Sequence, residues 1–198
     1  MGLHNTEQRF GAGAMTLHWL IAVCVIGLLA VGLYMTDLPD TATNKFQLYQ
    51  LHKSFGITVL CLMVLRLIWR FTQTTPPYPA AMPAWERAGA KLSHLGFYAL
   101  LIAMPLSGWA STSASKFNFV PTIIFGQIHL PHISYFVNYP DREFIESATQ
   151  WVHFSLGMLI IALLIAHVGA ALKHHFVNRD DVLTRMLPGR SNKTSDKT

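Results

Sequence analysis

Residues 151–173 read WVHFSLGMLIIALLIAHVGAALK, and this stretch decides the fold. Up to Leu172 it belongs to 147–172, a run of 26 residues without Asp, Glu, Lys or Arg that Lys173 ends. About 20 apolar residues in a helix cross the hydrocarbon of a bilayer, so the run is long enough to span. Two histidines interrupt it. His153 and His167 are 14 residues apart, so at about 100° per residue they differ by about 40° around the axis, and they lie roughly 21 Å apart along it. A single spanning helix therefore presents two imidazoles on one face, one toward each membrane surface.

The rest of the chain agrees with a membrane setting. It has 198 residues, the length of one domain, with 52% hydrophobic and only 13% charged residues. A soluble domain carries about 25% charged residues, which excludes a soluble globule and a disordered chain. Three more spans precede the first one read. Residues 10–36 hold no formal charge, and their core at 15–35 reads as a retained helix rather than a signal peptide, because the apolar run is too long and lacks a small-residue cleavage site. The second, 47–71, has a charge-free centre at 54–65, with Lys53 and Arg66 at its edges, from where basic side chains snorkel. The third, 92–115, contains Pro105, which predicts a kink that a bundle tolerates. Residues 117–140 are also uncharged, but Pro121, Pro131 and Pro140 make them an interfacial outer loop. Its aromatics, Phe117, Phe119, Phe125, Tyr135, Phe136 and Tyr139, suit the headgroup level.

The expected fold is an all-α, four-transmembrane-helix bundle over residues 1–186, with spans at about 14–36, 47–71, 85–115 and 147–177. A polar tail, 187–198, is expected to be disordered. Lys and Arg set the orientation. Arg9, Arg66, Arg70, Arg87, Lys91, Lys173, Arg179, Arg185, Arg190, Lys193 and Lys197 fall on one side, against Lys45, Lys53, Lys116 and Arg142 on the other. This 11-to-4 split makes both termini cytoplasmic. Cys24 and Cys61 sit among apolar residues, and no C-x-x-C-H occurs, so neither a disulfide framework nor covalent haem attachment is expected.

The chemistry lies in the histidines. With alternating helix directions, His18 and His167 fall near the inner face, and His52 and His153 near the outer face. Two histidines at each level, on different helices, is the arrangement that two bis-histidine haems need. A lone membrane histidine often makes only an interhelical hydrogen bond, but matched depths and the 14-residue spacing favour ligation of the four. Small residues follow each by four positions, Ala22, Gly56, Gly157 and Ala171, which leaves room beside the ring or marks a helix contact. His94, followed there by Tyr98, also falls in the inner half. It is read as a hydrogen-bonding neighbour of the ligands His18 and His167. His129 and His132 belong to the outer loop and His174 and His175 to the inner interface, as solvated or interfacial groups. Arg66 and Arg70 either pair with haem propionates or snorkel.

Five segments carry a resemblance: LHWL at 17–20, LHKSFGI at 51–57, HLGFYALLIAMPLSGW at 94–109, WVHFSLG at 151–157 and HVGAALKHHFVNRDDVLTRM at 167–186. In this order and spacing the chain resembles the bacterial cytochrome b561 family, and more broadly the di-haem b subunits of hydrogenases and formate dehydrogenases. The resemblance implies two non-covalent b haems, with His52 and His153 on the outer and His18 and His167 on the inner, in a multi-pass protein of the bacterial inner membrane. It also implies electron exchange with ubiquinone, and superoxide oxidation at the outer face is associated with the family.

The leading expectation is electron transfer between an outer donor and the quinone pool. His94, Arg66 and Lys91 are the inner candidates for a quinone site. The second is a superoxide:ubiquinone oxidoreductase, with Lys53 and Lys116 steering the anion. Against it, the outer segments hold four basic residues and five acidic ones, Asp37, Asp40, Asp141, Glu143 and Glu146. A periplasmic electron-transfer protein is the alternative donor. The third is the haem and quinone anchor of a larger dehydrogenase, since the chain has no iron–sulfur cysteines or nucleotide motif. A histidine-lined proton or metal transporter is the last, and the absence of acidic residues in 15–35, 47–71, 92–115 and 147–172 speaks against it. No nucleic-acid partner is expected.

Overall fold

The structure, a computed structural model, describes residues 2–117 and 121–189. Phe119, Arg190, Lys193, Lys197 and most of the tail at 187–198 lie outside the described residues. Four long helices carry the bundle: α1 (Ala12–Asp37), α2 (Lys45–Thr72), α3 (Ala84–Ala114) and α5 (Arg142–Lys173), the last continuing as a π-helical turn over His174–Asn178. Each is long and apolar enough to cross a membrane. Their outward faces expose large apolar side chains such as Val23, Ile68, Leu92, Leu159 and Ile165. Such faces are stable against lipid, where a helix also satisfies its own backbone hydrogen bonds. The chain is a multi-pass membrane protein with an all-helical bundle.

The expected spans match these helices closely at both ends, except that α5 begins five residues early. Asp141 caps it, its carboxylate accepting a hydrogen bond from the Phe144 N–H at 3.0 Å. Arg142 donates to the Ser115 carbonyl at 2.6 Å, and Glu146 accepts from the Lys116 N–H at 3.1 Å. Charges that end a hydropathy window thus fix the first turns of α5 against the end of α3. Helix α3 runs on through Pro105 without a break in its assignment.

Packing follows chain order. Helix α1 packs on α2, α2 on α3, and α3 on α5, while among the described residues no comparable backbone contact joins α1 or α2 to α5. The α1–α2 contact is close: a Cβ on Gly13 would sit 2.6 Å from Cζ2 of Trp69. In the middle of the bundle, Ile21, Val25, Val59, Met63, Leu101 and Ile160 form one buried apolar cluster.

The uncharged segment after α3 is a loop, as expected, but it contains a small antiparallel hairpin, β1 (Thr122–Ile124) and β2 (Ile128–Leu130), and a short helix α4 (Ser134–Val137). Phe125 and Gly126 turn the hairpin with φ of 48° and 72°. The turn docks on α2, where the Phe125 N–H donates to the Ser54 hydroxyl at 3.0 Å and the Phe55 and Phe125 rings meet edge to face.

The opposite end of the bundle gathers both chain ends. Arg9 donates to the Leu187 carbonyl at 2.7 Å, Trp19 to that of Met186 at 2.8 Å, and Arg185 to that of Pro77 at 2.5 Å. A buried polar cluster lies at the same end. Glu86, in the first turn of α3, pairs with Lys173 at 2.5 Å and lies 3.4 Å from Nε2 of His174, whose Nδ1 meets Asp180 at 2.5 Å. His174, read from sequence as interfacial, is 6% exposed. The π-helical turn folds it inward to join α5 to α3.

Candidate functional site

Helix α5 places His153 toward the hairpin end and His167 toward the terminal end. Each meets a histidine from across the gap that separates α5 from the α1–α2 pair. The rings of His52 on α2 and His153 have centroids 6.3 Å apart and an interplanar angle of 73°. Those of His18 on α1 and His167 are also 6.3 Å apart, at 59°. Two imidazoles on opposite sides of one metal atom, with bonds of about 2 Å and ring radii of about 1.1 Å, have centroids about 6.2 Å apart. The angle is not restrictive, because each ring is free to rotate about its metal–nitrogen axis. The four residues therefore fit a pair of bis-histidine sites, and the donor type is that of b haem.

The surroundings of the hairpin-level pair are apolar. His52 and His153 face a narrow apolar cleft of about 50 Å³. Val25, Leu28, Leu29, Gly56 and Met104 are among the residues that line it. Two glycines make way for the rings. A Cβ on Gly108 would lie 3.0 Å from Cε1 of His153, and one on Gly32 would lie 3.3 Å from Cε1 of His52. Of the small residues expected beside the ligands, Gly56 is on the cleft wall. Gly157 instead faces α3, where a Cβ would meet Met104 Cε at 3.4 Å.

The rings differ in their polar surroundings. The Ser107 hydroxyl lies 3.0 Å from Nδ1 of His153 and also donates to the Met104 carbonyl at 2.7 Å. Nδ1 of His52 is buried without a hydrogen-bond partner among the described residues. The Arg66 guanidinium reaches Nδ1 of His18 at 3.1 Å. It also lies within electrostatic range of His94 and His167. His94 is 6.1 Å from His167 by ring centroid, and Phe97 packs edge-on against His167 at 5.2 Å. The terminal level thus holds three imidazoles and Arg66, with Arg70 within electrostatic range of His94. Lys91 is elsewhere, in a surface pocket of about 520 Å³ with Pro77, Tyr78 and Arg87.

At the hairpin end most basic groups are engaged. Lys45 pairs with Asp40 at 2.8 Å, and this hydrogen bond holds the Asp40 carboxyl below the usual carboxylate range. Lys116 lies 3.9 Å from Glu143. Lys53, beside His52, has no acidic partner among the described residues. His129 lies on β2, and His132 has a buried Nε2 without a partner among those residues.

The sequence reading missed Ser107, Gly108 and Gly32. The first two stand in the MPLSG segment, but their relation to His153 depends on how α3 is rotated against α5.

Comparison with known proteins gives a consistent family. A sequence profile described as prokaryotic cytochrome b561 matches residues 9–189. Cytochrome b561 homolog 2 of Escherichia coli K12 is 34% identical over 94% of this chain and 95% of its own. Cytochrome b561 homolog 1 of the same organism is 29% identical over 92% and 99%. A protein of Yersinia pestis named probable superoxide oxidase CybB is 28% identical over 92% and 97%.

Proposed function

The chain belongs to the prokaryotic cytochrome b561 family, and from that premise we propose that it is a di-haem cytochrome carrying electrons between a donor at the outer face and the quinone pool. Family membership already makes it a membrane electron-transport protein with b-type haem. The finer reading assigns His52 and His153 to an outer haem and His18 and His167 to an inner one, in a single domain over 1–186 with both termini cytoplasmic, in the inner membrane. One observation carries it: two facing imidazole pairs with the same 6.3 Å separation, sharing helix α5.

Haem iron, when bound, supplies a one-electron couple at each level. The protein supplies the rest. Paired imidazoles from helices with little backbone contact, His52 with His153 and His18 with His167, would hold each group. The apolar cluster of Val25, Val59, Met63, Leu101 and Ile160 excludes water between the levels. Arg66, already inside the terminal level, is placed to pair with propionates or with a quinone oxygen, and His94 is the nearest group able to hold a proton there. Ubiquinone is the proposed acceptor.

A reduced-minus-oxidised spectrum with haem quantification tests this. The expected result is a b-type spectrum with about two haems per chain, the outer lost in His153→Ala and the inner in His167→Ala. A well-folded colourless protein, or one that keeps both haems in these variants, would refute it.

The second reading is superoxide oxidation with ubiquinone as acceptor, in which the chain acts as an enzyme. The relative named as a probable superoxide oxidase supports it, as does Lys53, whose charge beside His52 has no acidic partner among the described residues. The Asp40 and Glu143 pairs with Lys45 and Lys116 reduce the positive field available elsewhere. If Lys53 steers an anion, superoxide reduces the haems more slowly in Lys53→Glu than in wild type, and the difference shrinks at high salt. Equal rates at low salt would rule steering out.

A further inference from the structure

Histidine binds a metal through one nitrogen only, and the partner of the other nitrogen fixes which one carries the hydrogen. The proposed ligands differ in this respect. A guanidinium only donates, so the Arg66 contact occupies the Nδ1 lone pair of His18, and this ring presents Nε2 to iron only once Arg66 turns away and the hydrogen moves to Nδ1. Nδ1 of His52 has no partner among the described residues. His153 is the case where the partner prepares the ring.

The Ser107 hydroxyl has one hydrogen to give, and the Met104 carbonyl at 2.7 Å can only accept it. Toward Nδ1 of His153, at 3.0 Å, the same oxygen can then only accept. The imidazole then carries its hydrogen on Nδ1, toward the Ser107 oxygen and with the Met104 backbone as a second acceptor for the ring, and Nε2 keeps a free lone pair. Gly108, the next residue, confines the same ring from the side. Both contacts come from the turn of α3 that follows Pro105.

We propose that Ser107 is a positioning residue, which holds His153 in the orientation and tautomer that present Nε2 to haem iron and so sets the affinity and potential of the outer haem. The inference rests on the reading of His153 as a ligand. A hydrogen bond from Nδ1–H makes the imidazole more basic and favours ferric over ferrous iron. Losing it therefore weakens binding and raises the potential.

The test uses the full-length haem-loaded protein in detergent or nanodiscs, read by haem titration, redox potentiometry and electron paramagnetic resonance. In Ser107→Ala and Ser107→Val, affinity at one of the two sites falls about 10–100-fold. The potential of that haem rises by about 59 mV for each tenfold by which ferric binding weakens more than ferrous. Its resonance changes while the other haem's does not. Ser107→Thr retains a hydroxyl able to bond the i−3 carbonyl and keeps wild-type values, although it has the shape of Val. Thr112→Val, which removes a hydroxyl bonded among the described residues to the Gly108 carbonyl alone, at 3.0 Å, serves as control.

Unchanged potentials and resonances in both hydroxyl-free variants would overturn the proposal, as would identical shifts in Thr and Val. Collapse of the chain with loss of both haems in Ala and Val would assign Ser107 to helix packing and also overturn it. A wild type without two haems, or a His153→Ala variant that keeps both, is instead the failure of the ligand reading.

Discussion

Replacing Gly108 by Ala should expel one haem and spare the other. The added Cβ would lie 3.0 Å from Cε1 and 3.2 Å from Nδ1 of His153. Non-bonded carbons are comfortable at about 3.5–4.0 Å, so the ring or the α3 backbone must yield by about 0.5–1 Å. Yielding is resisted, because the Ser107 hydroxyl holds Nδ1 at 3.0 Å and α3 is packed along α5. Overpacking of this kind costs about 1–3 kcal/mol. At about 1.4 kcal/mol per decade, haem affinity at the outer site falls between about 5-fold and 150-fold. Gly32→Ala is the graded comparison. Its Cβ would meet only His52, at 3.3 Å from Cε1, and a shift of a few tenths of an ångström relieves it. The loss there should stay under about tenfold. Gly27→Ala, with nothing within 4 Å, should change nothing. Haem titration of each purified variant, with potentiometry to identify the haem lost, gives the ranking. Two haems at unchanged potentials in Gly108→Ala, or a larger loss in Gly32→Ala than in Gly108→Ala, would refute the reasoning.

At the terminal level, distance alone does not choose between His18 and His94 as the partner of His167. The proposed assignment expects His18→Ala to lose the inner haem and His94→Ala to keep both haems but reduce quinone more slowly, and haem counts that reverse this order would transfer the ligand role. Glu86→Gln removes a carboxylate shared by Lys173 and His174, and should cost about 1–3 kcal/mol in thermal or denaturant unfolding while leaving the haem spectrum intact. Lys173 is 44% exposed and can turn to water, which keeps the loss below that of a fully buried pair. Ser54→Ala frees the Phe125 N–H at a turn whose φ is 48°, at a cost of about 1 kcal/mol, and should show as faster proteolysis in 121–131 with both haems retained. An unchanged cleavage rate would mean that Phe125 is held by its ring contact with Phe55 instead.

The four spans were legible because the bilayer imposes a length on apolar sequence that few other constraints share. Their ends were less so where helix and hydropathy part company: α5 starts at Arg142 because Asp141 caps it, and no count of uncharged residues registers a cap. The hairpin was hidden for a different reason. TII and IHL are strands of three residues, too short to show alternation, and are held by Ser54 on another helix. Depth and the 14-residue spacing pointed to two histidine pairs, and the structure brings His52 near His153 and His18 near His167, with His94 as near to His167. What escaped was relational. Ser107 and Gly108 matter through the rotation of α3 against α5, and His174 is buried through a π-helical turn that periodicity does not announce.

The packing order is what would let one helix serve the two proposed sites without closing either. Were α5 packed tightly on α1 and α2, no flat group could enter between His52 and His153 or between His18 and His167. Backbone contact is instead concentrated in α1–α2, α2–α3 and α3–α5, so the two histidine pairs face each other across the seam that remains. The seam is not continuous, because the buried side chains of Ile21, Val25, Val59 and Ile160 meet across the middle and interrupt it. Filling that midplane with apolar groups seals the bilayer against ions, for which a low-dielectric layer is a large barrier. Electrons need no polar path through such a layer, so the same plug that blocks ions is compatible with transfer between groups held above and below it. This combination, two polar levels separated by a dry one, suits an electron carrier and does not suit a proton or metal channel, whose polar groups would have to continue through the middle.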